Sequence, residues 1–231
     1  MNIKTVAFKA ALPHTIPICA GFTFLGLAYG IYMSKMGFSF IYPFLMAVTI
    51  FAGSMEFITA NLLVSAFDPI NAFILALMVN ARHLFYGLSM LEKYHGTGKK
   101  RFFLIFGMCD ESFSINCTTP IPKNVDKGWF MFFVTLMNYL YWAIGAALGG
   151  ILGKFITFST KGIDFVMTAL FVVIFLTQWD SQKNHTPALI GLGASVLALL
   201  IFKGENFIIP SMILILISLT SVRKKLEKED K

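Results

Sequence analysis

Long apolar runs separated by short polar loops dominate this chain. Runs of about 18 or more apolar residues can cross a bilayer as helices, and in hydrocarbon only helices or closed barrels satisfy every backbone N–H and C=O. The candidate segments are Thr15 to Met33, Ile41 to Phe67, Pro69 to Leu91, Phe102 to Asn116, Trp129 to Leu152, Ile163 to Trp179, Pro187 to Phe202 and Phe207 to Val222. The expected architecture is therefore all-α, a polytopic membrane helix bundle with about 7–8 membrane segments, some broken or re-entrant. Residues 1–14 are expected to form an interfacial lead-in, 15–222 a single transmembrane domain and 223–231 a charged tail. Met1 to Pro17 lacks the apolar core and small-residue cleavage site of a removable signal peptide.

Composition agrees: 57% of residues are apolar and 13% charged, against about a quarter charged in soluble domains. The net charge of +7 does not point to nucleic acid, because the basic residues stand in loops and tails beside apolar runs, as at membrane flanks. Cys19, Cys109 and Cys117 lack the spacing of a metal site or a disulfide framework and read as packing residues. Pro13, Pro17, Pro43, Pro69 and Pro187 read mostly as segment starts, where proline is harmless.

Charge bias constrains the path. Short loops rich in Lys and Arg stay cytoplasmic, which favours one side for Lys93, Lys99, Lys100 and Arg101 and for the tail Arg223, Lys224, Lys225, Lys228 and Lys231. Full crossings by every intervening segment forbid this. The conflict disappears if Phe102 to Asn116, which is short and carries two acids, dips in and returns. That also puts Lys123 and Lys127 inside. Lys4 and Lys9 then fall outside unless a second element, such as the one interrupted at Gly53, also fails to cross, so the N-terminal side stays open. Gly145, Gly149 and Gly153, with Gly26 and Gly30, recur at a spacing that lets helix backbones approach closely.

Ionisable residues in the membrane are costly and usually face a cavity or a partner. Glu56 follows the Gly53-Ser54 interruption, Arg82 and His83 stand in the third segment, and Asp110 and Glu111 in the fourth. Asn61, Asn80, Asn116 and Asn138 add amides. On one continuous third helix, Asn80, His83 and Gly87 share a face, with Arg82, Tyr86 and Ser89 beside it. Each residue carries two readings. Arg82 is either a structural ion-pair partner of Asp110 or Glu111 or part of a transport site. His83 either packs helices or handles protons. Glu56 is either a reversible proton site or a satisfied structural carboxylate. A break at Gly53-Ser54 supplies a half-helix start that can receive a substrate carboxylate, which suits an amino acid. The candidate substrate-binding set is Gly53, Ser54, Glu56, Asn80 and Tyr86. The candidate ion-pair or proton-coupling set is Glu56, Arg82, His83, Asp110 and Glu111.

No phosphate-cradling loop, His-Glu-x-x-His or Gly-x-Ser-x-Gly occurs, so neither nucleotide-driven pumping nor common hydrolytic chemistry is indicated. No cofactor or metal is expected. An intramembrane hydrolase built on Asp110 and Ser54 is the enzyme alternative, and the absence of a repeated filter motif weighs against a channel.

Four strings then show a resemblance: Phe51-Ala52-Gly53-Ser54-Met55-Glu56-Phe57, Asn80-Ala81-Arg82-His83-Leu84-Phe85-Tyr86-Gly87-Leu88, Asp110-Glu111-Ser112-Phe113, and Gly162-Ile163-Asp164-Phe165 followed by Ala169-Leu170-Phe171. In this order they resemble the AzlC family, the large subunits of bacterial branched-chain amino-acid exporters. The resemblance implies a multi-pass permease of the bacterial inner membrane that exports branched-chain and related apolar amino acids with a small AzlD-type membrane subunit. Where this chain has Glu56 the family commonly has Gln, so a proton role there is not general to the family. The last third matches in hydropathy alone. The reading is a secondary transporter driven by an ion gradient. The alternative is a transporter of another small organic anion.

Overall fold

The computed structural model describes residues 2–66, 68–156, 168, 169, 172, 175, 176, 179, 180, 184–202 and 207–229. The expected segment Ile163 to Trp179 and the strings from Gly162 to Phe171 lie largely outside the described residues, as does Phe67.

The chain forms two compact units, residues 1–167 and 168–231. In the first, α1 runs Ile3–Lys35, α2 Ile41–Thr49, α3 Gly53–Val64, α4 Pro69–Val79, α5 Ala81–Tyr94, α6 Lys100–Phe106, α7 Asp110–Thr118 and α8 Lys127–Leu152. The second unit contains α9, Thr186–Phe202, and α10, Ile208–Glu229, packed on each other. Every element described is helical.

Burial is inverted relative to a water-soluble protein. Phe102, Leu88 and Ile70 are more than two-thirds exposed, while Glu56, Asn138, Thr135 and Ser112 are fully buried. An apolar outside around a polar inside is what hydrocarbon selects, and this is a helical membrane protein. Among the described residues α1 and α8 are each long and apolar enough to cross a bilayer; α4 and α5 pass together as a pair bent by 49°.

The first unit is organised on α1 and α8, which run parallel. Lys4 Nζ lies 4.7 Å over the Trp129 ring, Thr15 Oγ1 donates to Met137 Sδ at 3.4 Å, and Ser34 meets Gly153. The glycines set the closeness: a Cβ on Gly26 would sit 2.9 Å from the Trp142 carbonyl oxygen, and Cβ atoms on Gly30 and Gly149 would fall onto the carbonyl oxygens of Ala146 and Leu27. Backbone meets backbone where only glycine fits.

Two helix pairs turn back against this scaffold from opposite ends. From the Leu152 end, Phe40 packs on Gly150, Tyr139 Oη donates to the Val48 carbonyl at 2.7 Å, and the chain then returns so that Tyr32 Oη donates to Asn61 at 2.7 Å. From the Lys127 end, Lys100 Nζ lies 4.5 Å over the same Trp129 ring, Phe106 reaches Tyr139, and Asn116 comes back to Thr135 before the loop rejoins α8. Between the two pairs, α4 and α5 run toward the Lys127 end, where Lys93 Nζ donates to the Cys117 carbonyl. Each pair has its own core, one around Tyr29, Phe57 and Trp142 and one around Met90, Leu104 and Met131.

Two sequence expectations change, and one open point gains an observation. Pro13 and Pro17 lie inside α1, not at a segment start, and the helix runs on from Ile3 without a stop at residue 14; membrane helices tolerate interior proline where neighbours and side chains re-satisfy freed backbone groups. The third segment is two helices meeting at Asn80, so Asn80, His83 and Gly87 do not share one continuous helical face. The sequence leaves the N-terminal side open, and Lys4 and Lys100 both lie over the Trp129 ring, which puts the N-terminus at the end that carries the basic loops.

Candidate functional site

Three helix starts interrupt the first unit, and the polar strings stand at them. Gly53 opens α3 after Phe51, whose φ of 46° is left-handed. A bulky residue holds that conformation only when its surroundings impose it, and here the Phe51 ring packs on Tyr139 at 4.8 Å. Gly53 lies against the Trp142 ring, with no room for a methyl group. Ser54 is buried beside it. Glu56, fully buried, closes the break: its Oε1 accepts from the Ala52 N–H at 3.1 Å and from Trp142 Nε1 at 2.9 Å, and Oε2 lies 3.0 Å from Trp142 Nε1. Its carboxylate already has protein partners.

The second start is at Asn80, whose Nδ2 donates to the Ala76 carbonyl at 3.1 Å. His83 Nδ1 lies 3.3 Å from the Asn80 carbonyl. One residue earlier, Arg82 points to the third start: Arg82 Nη1 lies 2.9 Å from Asp110 Oδ2, with the two side chains 33% and 18% exposed. Tyr86 stacks on Phe113 at 4.2 Å, tying α5 to α7. Ser112 stitches the third break, accepting from the Cys109 N–H at 2.9 Å and donating to the Gly107 carbonyl at 3.3 Å. Glu111 stands beside Asp110 in the first turn of α7.

Arg82, Asp110 and Tyr86 therefore come together, whereas Glu56 makes its bonds elsewhere, to Trp142 and Ala52. Sequence reasoning missed Trp142 and Tyr139. A buried indole N–H needs an acceptor, and Trp142 lies one turn beyond the polar Asn138 on the glycine-rich helix, which is the local signal that was available. Beside the third break a groove of about 260 Å³ is lined mainly by apolar residues such as Leu84, Leu88, Ile105 and Met108, together with His83 and Arg101.

Residues 17–156, which hold all three breaks, match the family model for the AzlC protein. The chain belongs to the AzlC family. It is 65% identical to the branched-chain amino acid transport protein AzlC of Bacillus subtilis over 97% of this chain and 88% of that one. An uncharacterized membrane protein of Haemophilus influenzae is 51% identical over 98% and 93% of the two chains. The inner membrane protein YgaZ of Escherichia coli is 22% identical over 83% and 82%. No solved structure matches.

Proposed function

We propose that this protein is a permease that moves branched-chain and related apolar amino acids out across the bacterial cell membrane, driven by an ion gradient and working with a small AzlD-type subunit. The 65% identity to the Bacillus subtilis transport protein over nearly the whole chain carries this reading. The half-helix starts support it, because a zwitterion needs a site for each charge. The breaks at Gly53 and at Asn80, with Tyr86, form the substrate region, and Arg82, His83, Asp110 and Glu111 the coupling region beside it. Glu56 belongs to both.

The basic end of the first unit, with Lys4, Lys93, Lys100 and Lys127, faces the cytoplasm by the positive-inside rule. α1, α4 with α5, and α8 cross, and the two turn-back pairs enter from opposite faces. With the three apolar segments that the sequence offers at 163–179, 187–202 and 207–222, the multi-pass chain has eight membrane elements.

Counterflow in proteoliposomes loaded in turn with labelled leucine and with a panel of organic acids tests the reading. Leucine exchange, inhibited by isoleucine and valine, is expected. Exchange of organic acids without leucine would favour the anion alternative, and chemically altered product would indicate an enzyme.

A further inference from the structure

The two turn-back pairs echo each other in sequence. Ile50, Phe51, Glu56 and Asn61 recur fifty-five residues later as Ile105, Phe106, Glu111 and Asn116, with small residues Ala52 and Gly107 at the matching position. The echo is also spatial: Phe51 and Phe106 both pack on Tyr139, one from each end of α8. Cys109, at the second break, packs on the core that contains Phe51 and Trp142. After each pair the chain makes a pass, α4 with α5 in one direction and α8 in the other. Inverted repeats of this kind place ligand sites where their discontinuous helices meet.

Asn138 stands at that meeting point. It lies between Thr135, which touches Gly107 of one pair, and Trp142, which touches Gly53 of the other, about one turn from each. Asn138 is fully buried, yet neither Nδ2 nor Oδ1 has a hydrogen-bond partner among the described residues. Buried side-chain amides are normally satisfied. One free donor and one free acceptor in a single group match the two ends of an α-amino acid.

The helix starts on either side have their own partners: Glu56 in the first turn of α3 is engaged with Trp142 and Ala52, and Asp110 in the first turn of α7 with Arg82. Asn138 between them is left without one among the described residues. We propose that Asn138 is a substrate-binding residue that reads the zwitterion, Nδ2 donating to the carboxylate and Oδ1 accepting from the ammonium. This rests on the amino-acid reading above and adds a selection for substrates that carry both charges.

The test is ligand binding to the purified full-length chain in detergent, using leucine, 4-methylpentanoate, which lacks the ammonium, and 3-methylbutylamine, which lacks the carboxylate. The native protein is expected to bind leucine at least tenfold more tightly than either analogue. Asn138→Ala should weaken leucine at least tenfold without lowering the unfolding midpoint, because the amide holds nothing in the free protein. Asn138→Asp, which loses the donor and keeps an acceptor, should shift preference from leucine toward the amine. Native leucine affinity in Asn138→Ala, or loss of folded protein in both variants, would overturn the inference while leaving amino-acid transport standing. Failure of the native chain to bind any branched-chain amino acid would overturn the functional reading, and this inference with it.

Discussion

The two breaks that meet at Tyr139 are held in different ways. The first, at Phe51 to Gly53, is closed by Glu56 bonded to Trp142 and to the Ala52 N–H, all beside a buried aromatic core. The second, at Gly107 to Cys109, is stitched by the small hydroxyl of Ser112 and tied through Asp110 to Arg82 on α5, where both side chains keep some exposure. A buried carboxyl group with protein partners resists rearrangement, because separating them leaves buried polar atoms unpaired. A partly exposed ion pair is held less tightly. The first break is expected to be the fixed member of the pair and the second the adjustable one.

The most damaging change acts on the scaffold both breaks share. Gly149→Val places side-chain atoms onto the Leu27 backbone and forces α1 and α8 apart. Folded yield by size-exclusion chromatography in detergent should fall to near zero; recovery of a native elution profile would mean that the two helices do not depend on backbone contact.

Next comes a direct comparison of the breaks. Trp142→Phe leaves the Glu56 carboxylate buried with one donor fewer, and should cost about 3 kcal/mol of stability. Arg82→Ala should cost about 1 kcal/mol, in keeping with partial exposure, yet reduce leucine transport at least tenfold, because α5 and α7 lose their link. Thermal unfolding and counterflow on the same preparations separate the two effects. Equal losses of stability would erase the distinction between fixed and adjustable breaks.

A smaller effect is expected from Glu56→Gln. Its carbonyl oxygen can still accept from Trp142 and Ala52, so stability should stay within about 1 kcal/mol of the native protein and leucine affinity should be retained. If Glu56 carries a proton during transport, the change appears in the pH profile of uptake alone. An unchanged profile would leave Glu56 as the clasp of the first break and nothing more.

The gentlest probe is cysteine labelling at Lys99, Lys123 and Lys154, one at a time, in a background without Cys19, Cys109 and Cys117. Lys99 and Lys123 should react from one face, because α6 and α7 enter and return at the Lys127 end, and Lys154 from the other. Lys99 and Lys123 reacting from opposite faces would make α6 and α7 a crossing and break the inverted relation between the pairs.

Much of this plan was legible in the residues. Apolar runs longer than a bilayer needs and glycines at four-residue spacing are local properties, and each fixes a helix or a helix contact wherever the chain goes. Glycine beside buried acid likewise marked the interruption at Gly53, and a short segment with two acids marked the one at Asp110, because neither pattern suits an uninterrupted span. The break at Asn80 was not legible: apolar residues precede it without glycine or proline, and the contact beside it, Arg82 to Asp110, is made to another element. Nor was the partner of Glu56, since Trp142 is 86 positions away. That the N-terminus stands at the same end as the basic loops emerged only once Lys4 and Lys100 met on Trp129. Composition and spacing determine which segments leave water and where they cannot stay helical; which buried polar group meets which depends on contacts distant in sequence, and those exist only when the helices are packed.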